Sequence, residues 1–464
     1  MTHLLAPKIY HLHPLVAGPL RSWGDHFKRI SALGFNWVCL APPFQGGPTG
    51  DIFLPADLEA LHPALQWEGT ADSGMHHAAN SAADAGLRLM LDIRVDRVAR
   101  TSAIREQHDH WFSNGLGDEP PDPRRPPHRL DAAYARLDRT EVADGLAELW
   151  FNRLERLLNL GLGGIRCLAP ERTPASLWRR LLGDLNKPAP EPLFLAWTAR
   201  TPRTSLPMLE GVGFDYVSPA FPSWDRRAAH FVEESQVLRR IGPLLGTPEP
   251  SFDDRLVANL PSDKDPATAC RQAIRMAAAI GSGLFMPMGF EFCTRMAFDR
   301  ARGTPEDFVR AQHEAPVDLS EEIRSACALA DRLAGLGVDG AIRTLTAPGA
   351  SATAFLRADT TDIRDAAMAV VVVVNPQSHP IDLPLLRVPV LPPQAGVAFG
   401  KPQALASDGD PLAPLDPGEI RVILYHRNRD VHQPSSPRAF DLAAMAAGRI
   451  AIEAVSPLVA DGDF

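Results

Sequence analysis

The 464-residue chain has no surplus of positive charge: 47 lysines and arginines stand against 56 aspartates and glutamates, a net charge of −9. A sequence-independent nucleic-acid binder needs a basic footprint to release counterions, so that class is excluded. No run of about 18 apolar residues occurs, and the N-terminal MTHLLAPKIYHLHPL lacks the charged region and unbroken apolar core of a signal peptide, which argues against a membrane span. Cysteine is scarce: Cys39, Cys167, Cys270, Cys293 and Cys327 form no CxxC, and their odd number rules out complete intramolecular pairing. Reduced thiols in a cytoplasmic protein are the expectation. No segment repeats at 20 to 50 residues, which argues against a solenoid. No GxGxxG follows the first apolar run and no Walker A motif occurs, so a doubly wound nucleotide-binding sheet lacks support.

What is present is the composition of an ordinary globular protein, 45% hydrophobic and 22% charged. Eight short apolar runs alternate with helix-like stretches: 8–15, 35–42, 87–95, 163–170, 192–199, 214–221, 255–260 and 283–290. In VADGLAELWFNRLERLLNLG, Leu146, Leu149, Trp150, Leu154 and Leu157 recur at helical spacing, and Gly161 stands where a C-cap glycine would. Strands covered on both faces lose their polar alternation, so the pattern predicts a (β/α)8 TIM barrel over 1–338, with a long loop after strand three at about 96–140. Past Leu336 the text turns β-branched and turn-rich, as in AMAVVVVVNPQSHPIDLPLL and PGEIRVILYHR. It predicts a small antiparallel β-sandwich domain over 339–430, with VVVVV as a core strand and 431–464 as a tail.

Several motifs, in chain order, resemble the α-amylase superfamily, glycoside hydrolase family 13, especially its maltose-1-phosphate maltosyltransferase branch. They are LGFNWVCLAPPFQGG (33–47), FLPADLEALHP (53–63), LMLDIRVDRVA (89–99), DHWF with PPDPR (109–124), GIRCLAP (164–170), GFDYVSPAF (213–221), VANLPSD (257–263) and GFEF (289–292). The resemblance covers about 8–428. RIAIEAVSPLVADGDF (449–464) is similar to the opening of the N-terminal sandwich domain of the maltosyltransferases. That implies a module preceding a complete maltosyltransferase, acting in bacterial α-glucan metabolism linked to glycogen and trehalose.

Retaining enzymes of that family use one carboxylate as nucleophile and another as acid/base, about 5 to 5.5 Å apart. Carried over by resemblance, the strand-three aspartate is Asp92 and the strand-four arginine Arg166. The nucleophile position, however, is Leu168 and the general-acid position Trp197. The strand-seven carboxylate falls on Pro261 or, with a one-residue slip, Asp263; the substrate-stacking tyrosine becomes Phe53; the asparagine and histidine after Asp92 become Asp96 and Arg97. Leucine cannot attack an anomeric carbon and tryptophan cannot pass the proton, so the family reaction is expected to be lost.

Residual catalytic candidates are Asp92, Arg166, Asp263 and Glu291, with Asp96 and Asp215 as further carboxylates near predicted strand ends. The bland reading of Asp92 and Arg166 is a buried structural ion pair. Candidate substrate contacts are Phe53, Asp57, Asp92, Arg166, Trp197 and Asn259, with Trp67 and Trp224 as further aromatic faces. His11 and His13, or His76 and His77, lack a third ligand at a recognisable spacing, and His62 reads as a loop histidine. No metal site and no cofactor is therefore predicted. Arg124 and Arg125 lie on what reads as a solvated loop. The expected partners are an α-glucan or maltooligosaccharide and a maltosyltransferase domain or protein, with no nucleic acid and no membrane. The competing expectation is an active α-glucan glycosyltransferase or hydrolase with relocated acids, or one acting through a fused following domain.

Overall fold

The computed structural model describes residues 6–114, 131–185, 191–223, 229–262, 264–340, 342–347, 350–360, 362–383, 403–405 and 413–426. The chain divides into two compact units, one of Ala6–Ser223 with Val237–Ala328, the other of Met1–Leu5, Trp224–Gln236 and Leu329–Phe464.

In the first unit eight parallel strands run in the order β6, β5, β4, β3, β2, β1, β8, β7: β1 is Lys8–Leu12, β2 Trp37–Leu40, β3 Arg88–Ile93, β4 Gly164–Leu168, β5 Leu193–Trp197, β6 Tyr216–Ser218, β7 Leu245–Gly246 and β8 Gly283–Pro287. A parallel bridge from Val217 to Leu244, with Val217 N donating to Pro243 O at 2.8 Å, joins β6 to β7 and closes the ring. This is the expected (β/α)8 barrel.

The helices between strands follow the same logic of one apolar stripe. On α1 (Thr140–Asn159), Leu146, Trp150, Leu154 and Leu157 are buried. The helix ends where Gly161 turns left-handed (φ 104°) and Leu162 N reaches back to Leu157 O at 3.0 Å, a Schellman closure that favours glycine.

One predicted strand is corrected. RLVANL (255–260) is not strand seven; Leu256–Asn259 is a 3-10 turn in the loop beyond it. The real β7 is two residues long, and its Gly246 packs so tightly that a Cβ there would stand 1.9 Å from Ala277 O on the covering helix α2 (Pro266–Ile280). A strand this short, with a glycine dictated by close approach, carries no periodic signal.

Two excursions rise beyond strand ends. After β2 comes a hairpin, Phe44–Gly46 with Pro55–Leu61. After β3, the described parts of the predicted long loop form a small sheet in which Ala132–Ala135 pairs with both Arg97–Ala99 and Phe112–Ser113.

The second unit is an antiparallel sheet in the order β9 (Arg343–Thr344), β10 (Thr353–Ala358), β11 (Met368–Val374), β13 (Ile420–His426), β12 (Gln403–Ala404). VVVVV lies in β11, the central strand, and Val370 to Val373 are fully buried. Val371 and Val373 join Leu356, Ile423 and Tyr425 in one apolar cluster. The described strands form a single sheet; the tail at 431–464 lies outside the described residues.

Candidate functional site at the barrel mouth

Side chains alternate along a strand, so every second residue of each barrel strand points inward. The lower interior is apolar: Ile9, Trp37, Cys39, Met90, Leu195, Leu245 and Phe285 pack together. Two residues further along β1 and β3 come His11 and Asp92, and Arg166 of β4 is the register neighbour of Asp92.

These groups form one buried polar layer. Arg166 Nε donates to Asp92 Oδ1 at 2.6 Å and Nη2 to Oδ2 at 2.7 Å, a bidentate pair. His11 Nε2 lies 2.9 Å from Asp92 Oδ2 and 3.1 Å from Arg166 Nη2. A guanidinium only donates and a carboxylate only accepts, so Nε2 serves the carboxylate when it carries the proton. Cys39 Sγ donates to Asp92 Oδ1 at 3.1 Å. Burial opposes ionisation of Asp92, but Arg166 and then His11 outweigh it and hold the carboxyl well below the usual range. Burial and the neighbouring Arg166 push His11 down, keeping it neutral.

His11, Cys39 and Asp92 also place three donor atoms within 4.8 Å of one another. Both Asp92 oxygens are already bonded to Arg166, and a cation would have to sit against that guanidinium. The donor set therefore fits an ion pair better than a metal.

Above this layer the interior is apolar again. Leu168 and Trp197 are register neighbours at the ends of β4 and β5, side by side where the resemblance places nucleophile and acid. Leu168 is 2% exposed and packs with Leu15, Ala41, Ile52 and Phe53, against which Trp197 and Phe252 rest. Burying a leucine contributes about 1.5 to 3 kcal/mol. Phe53, whose backbone N donates to the buried Asp51 at 2.9 Å, meets Phe252 edge to face at 5.0 Å. Phe252 in turn stands edge-on to His11 at 5.4 Å. The Arg166 guanidinium lies 4.4 Å from the Phe285 ring and 5.5 Å from that of Trp197. Just past Leu168, Ala169 is left-handed (φ 48°, ψ 53°) ahead of Pro170, a conformation costing about 1 kcal/mol or more in a residue with a Cβ.

The other expected residues are dispersed. Glu291 is buried away from this layer: Oε1 accepts from Tyr10 Oη and Arg29 Nη1, each at 2.6 Å, and Oε2 from Gly289 N at 2.9 Å. Tyr10 alternates with inward-facing Ile9 and His11, so this trio lies on the outer wall of β1. Asp57 belongs to the hairpin after β2, where Oδ1 accepts from Glu59 N at 2.7 Å. Asp96 pairs with Arg94 at 2.8 Å, and Arg97 reaches Tyr134 Oη at 3.4 Å. Asp215 precedes β6 and bonds Phe194 N at 2.7 Å, at the opposite end of the barrel from Trp197. His13 is bonded to Asp299 O at 3.0 Å, and His76 to Leu160 O at 3.0 Å. His77 stacks on Trp67 with ring centres 5.1 Å apart. His62 accepts from Ala64 N at 3.2 Å. Asp263, Arg124, Arg125 and Trp224 lie outside the described residues.

Sequence reading missed two features. The buried carboxylate that follows the real β7 is Glu249, bonded to Arg255 at 2.6 Å and to Leu256 N at 2.9 Å. Phe252, central to the apolar cover, sits in the same loop. Both would have been found by reading TPEPSFDDR as the end of strand seven.

Beside the cover, a cavity of about 570 Å³ opens between the ends of β5, β6 and β7. Trp197, Phe252 and Phe285 supply its aromatic lining, Ser218, Thr247 and Asn259 neutral polar groups, and Arg200, Asp253 and Asp254 charges near its rim. Arg200 is bonded to Asp253. Asn259 lines this cavity together with Trp197 and Arg166, whereas Phe53 belongs to the cover.

No protein-family model matches the chain. Among curated proteins, an α-1,4-glucan:maltose-1-phosphate maltosyltransferase of Burkholderia pseudomallei is 30% identical over 479 aligned positions, which span 99% of this chain and 42% of that protein. Maltosyltransferase 2 of Streptomyces coelicolor is 24% identical over 331 positions, 64% of this chain and 48% of the relative. The chain therefore spans less than half the length of these relatives. Among solved structures, a Geobacillus thermoleovorans α-amylase complexed with acarbose superposes with a TM-score of 0.66 at 13% identity, covering 92% of this chain and 99% of that one. A Bacillus licheniformis trehalose-6-phosphate hydrolase gives 0.66 at 10%, covering 91% and 99%. At such identities the likeness is one of fold.

Proposed function

From the premise that this chain belongs to the α-amylase superfamily and is related to its maltose-1-phosphate maltosyltransferase branch, we propose that it is a non-catalytic, glycan-binding barrel that serves α-glucan metabolism alongside a maltosyltransferase. The observation that carries this reading is the register pair Leu168 and Trp197, set in an apolar cover over Asp92 and Arg166. Retaining chemistry needs two carboxylates facing one glycosidic carbon, one to attack it and one to pass a proton to the leaving oxygen. Neither side chain does either.

Among the described residues, the paired carboxylates do not replace them in this reading. Glu249 is held by Arg255, Glu291 by Arg29 and Tyr10, and Asp253 by Arg200. Asp92 is ionised and buried, but both its oxygens are bonded to the guanidinium that flanks it. A nucleophile so engaged would have to break two charge-assisted hydrogen bonds to attack. What the mouth keeps is aromatic surface and hydroxyl groups, the equipment for binding sugar faces.

The test incubates the purified chain with maltose-1-phosphate and a maltooligosaccharide, following phosphate release and chain extension, with gel retardation by soluble glucan in parallel. Retardation without phosphate release is the expected result. Phosphate release that survives exhaustive purification and disappears in Asp92→Asn would sink the reading in favour of an active transferase.

A further inference from the structure

Beyond the proposed function, and independent of what the mouth binds, we propose that Pro250–Asp254 is a hinged strap that gates the buried layer of His11, Asp92 and Arg166. Its swing joins the cavity beside Trp197 to His11. The two ends of this segment are fixed and its middle is not.

The fixed ends are Glu249 and Arg255, both buried. Glu249 Oε1 accepts from Arg255 Nη1 at 2.6 Å and Oε2 from Leu256 N at 2.9 Å, so one carboxylate ties the two posts together. Arg255 is anchored in turn just past β8, where Nη2 donates to Met288 O at 2.7 Å, and its guanidinium lies 5.1 Å from the Phe298 ring. Parting such a pair strands a buried charge, which keeps both posts in place.

Between the posts the restraints fall away. Among the described residues, no backbone N–H or C=O of Pro250–Asp254 takes part in a hydrogen bond. Four of the five residues are half-buried, and Asp254 is exposed. Solvent-facing backbone without internal hydrogen bonds belongs to the low-stability end of a structure, the part that opens locally while the rest stays folded. One rim ion pair and one ring hold the strap down. The ion pair joins Asp253 to Arg200, whose side chains are 40% and 52% exposed, and pairs so exposed contribute little. The ring is Phe252, edge-on to His11 at 5.4 Å and to Phe53 at 5.0 Å, and 5.3 Å from His13.

That ring gives opening its consequence. All five strap residues line the cavity, so Phe252 stands between the cavity and the two imidazoles. Loops that cover a site commonly turn about a few fixed end residues in this way. Lifting Phe252 admits water and small solutes to His11 while Leu168 and Phe53 stay in their cluster.

Diethyl pyrocarbonate, which acylates an accessible neutral imidazole, tests this on the full chain at pH 7, with the modified residues located by peptide mass spectrometry. Alkylation of Cys167, fully buried on β4, reports global opening in parallel. Both rates are followed in urea below the unfolding midpoint. There a global event accelerates steeply with urea, and a local one, which exposes little surface, scarcely at all. His11 and His13 are expected to react at a rate nearly independent of urea, and Cys167 only as the barrel unfolds. Phe252→Ala is expected to speed both imidazoles about 10-fold or more, Arg200→Ala about 2-fold, and each to speed Cys167 far less. Imidazole labelling that tracks Cys167 across the urea series of the native chain would overturn the strap, because His11 would then be reached only by unfolding. Equal acceleration of His11 and Cys167 in Phe252→Ala would also overturn it, because the ring would then hold the whole barrel and not a gate.

Discussion

Replacing Arg166 by methionine should be among the most damaging single changes to the barrel, and the companion change at Asp92 should repair about half or more of it. The Asp92 side chain is fully buried and that of Arg166 is 3% exposed. Arg166→Met removes two short charge-assisted bonds, of 2.6 and 2.7 Å, and leaves Asp92, among the described residues, with His11 and Cys39 as donors. Stranding one partner of a buried pair costs about 3 to 5 kcal/mol. In Arg166→Met with Asp92→Leu no unpaired charge is left buried; His11 loses its partners there, at a cost of about 1 to 3 kcal/mol, so the double variant should recover about half or more of the loss. The coupling between the two sites is then at least about 2 kcal/mol. Urea unfolding at pH 7, followed by tryptophan fluorescence, reads this as a midpoint lowered by about 1 M or more in the single variant and restored by about half or more in the double. A loss below about 1 kcal/mol for Arg166→Met would refute the reasoning, because it would mean that water reaches Asp92 as it does in an open active site.

Two further predictions concern groups shielded from water: the imidazoles of His13 and of His26, the latter on the helix Trp23–Ala32 against Phe308, and the side chain of Leu168. Burial lowers His13 to about 3 and His26 to about 4, both beneath their unfolded value near 6.5. Between those limits the unfolded chain binds more protons, so stability is complete above about pH 6.5 and falls as pH drops toward 4. Asp92, held below the usual range, contributes above about pH 4 and loses that contribution only in stronger acid. The melting temperature should therefore be lower at pH 5 than at pH 7, by a smaller margin in His13→Gln; equal values at both pH values would contradict this. Leu168→Asp should cost about 3 kcal/mol or more, because it places an unpaired carboxylate in an apolar cluster, and should restore no turnover while Trp197 fills the acid's position. Unchanged thermal stability in that variant would show the mouth to be wet.

The barrel was legible because seven of its strands carry continuous apolar runs and its helices a regular stripe with recognisable caps. Strand seven was not, because closure there depends on Gly246 meeting a helix backbone, a constraint that leaves two residues and no pattern. That slip displaced the expected strand-seven carboxylate to 261–263 and hid Glu249 and Phe252. The pairing of Asp92 with Arg166 followed from their places at facing strand ends. The position of Glu291 did not, since proximity to a strand end does not say whether a side chain points into the barrel or, as here, to its outer wall beside Tyr10 and Arg29. The cavity beside Trp197 was illegible for a related reason: it is assembled from the ends of three strands and the loop around Phe252, residues far apart in sequence.

The central claim, that no carboxylate of this barrel attacks a glycosidic carbon, is tested most directly by covalent trapping. The chain is exposed to an activated fluoro-α-glucosyl fluoride, which leaves a long-lived glycosyl ester on the nucleophile of a retaining enzyme. The intact mass is then measured, with an active maltosyltransferase treated in parallel. The account predicts an unchanged mass for this chain and one added glycosyl unit on the control. A single glycosyl unit on this chain, mapped by fragmentation to Asp92, Asp254 or any other carboxylate, would contradict it.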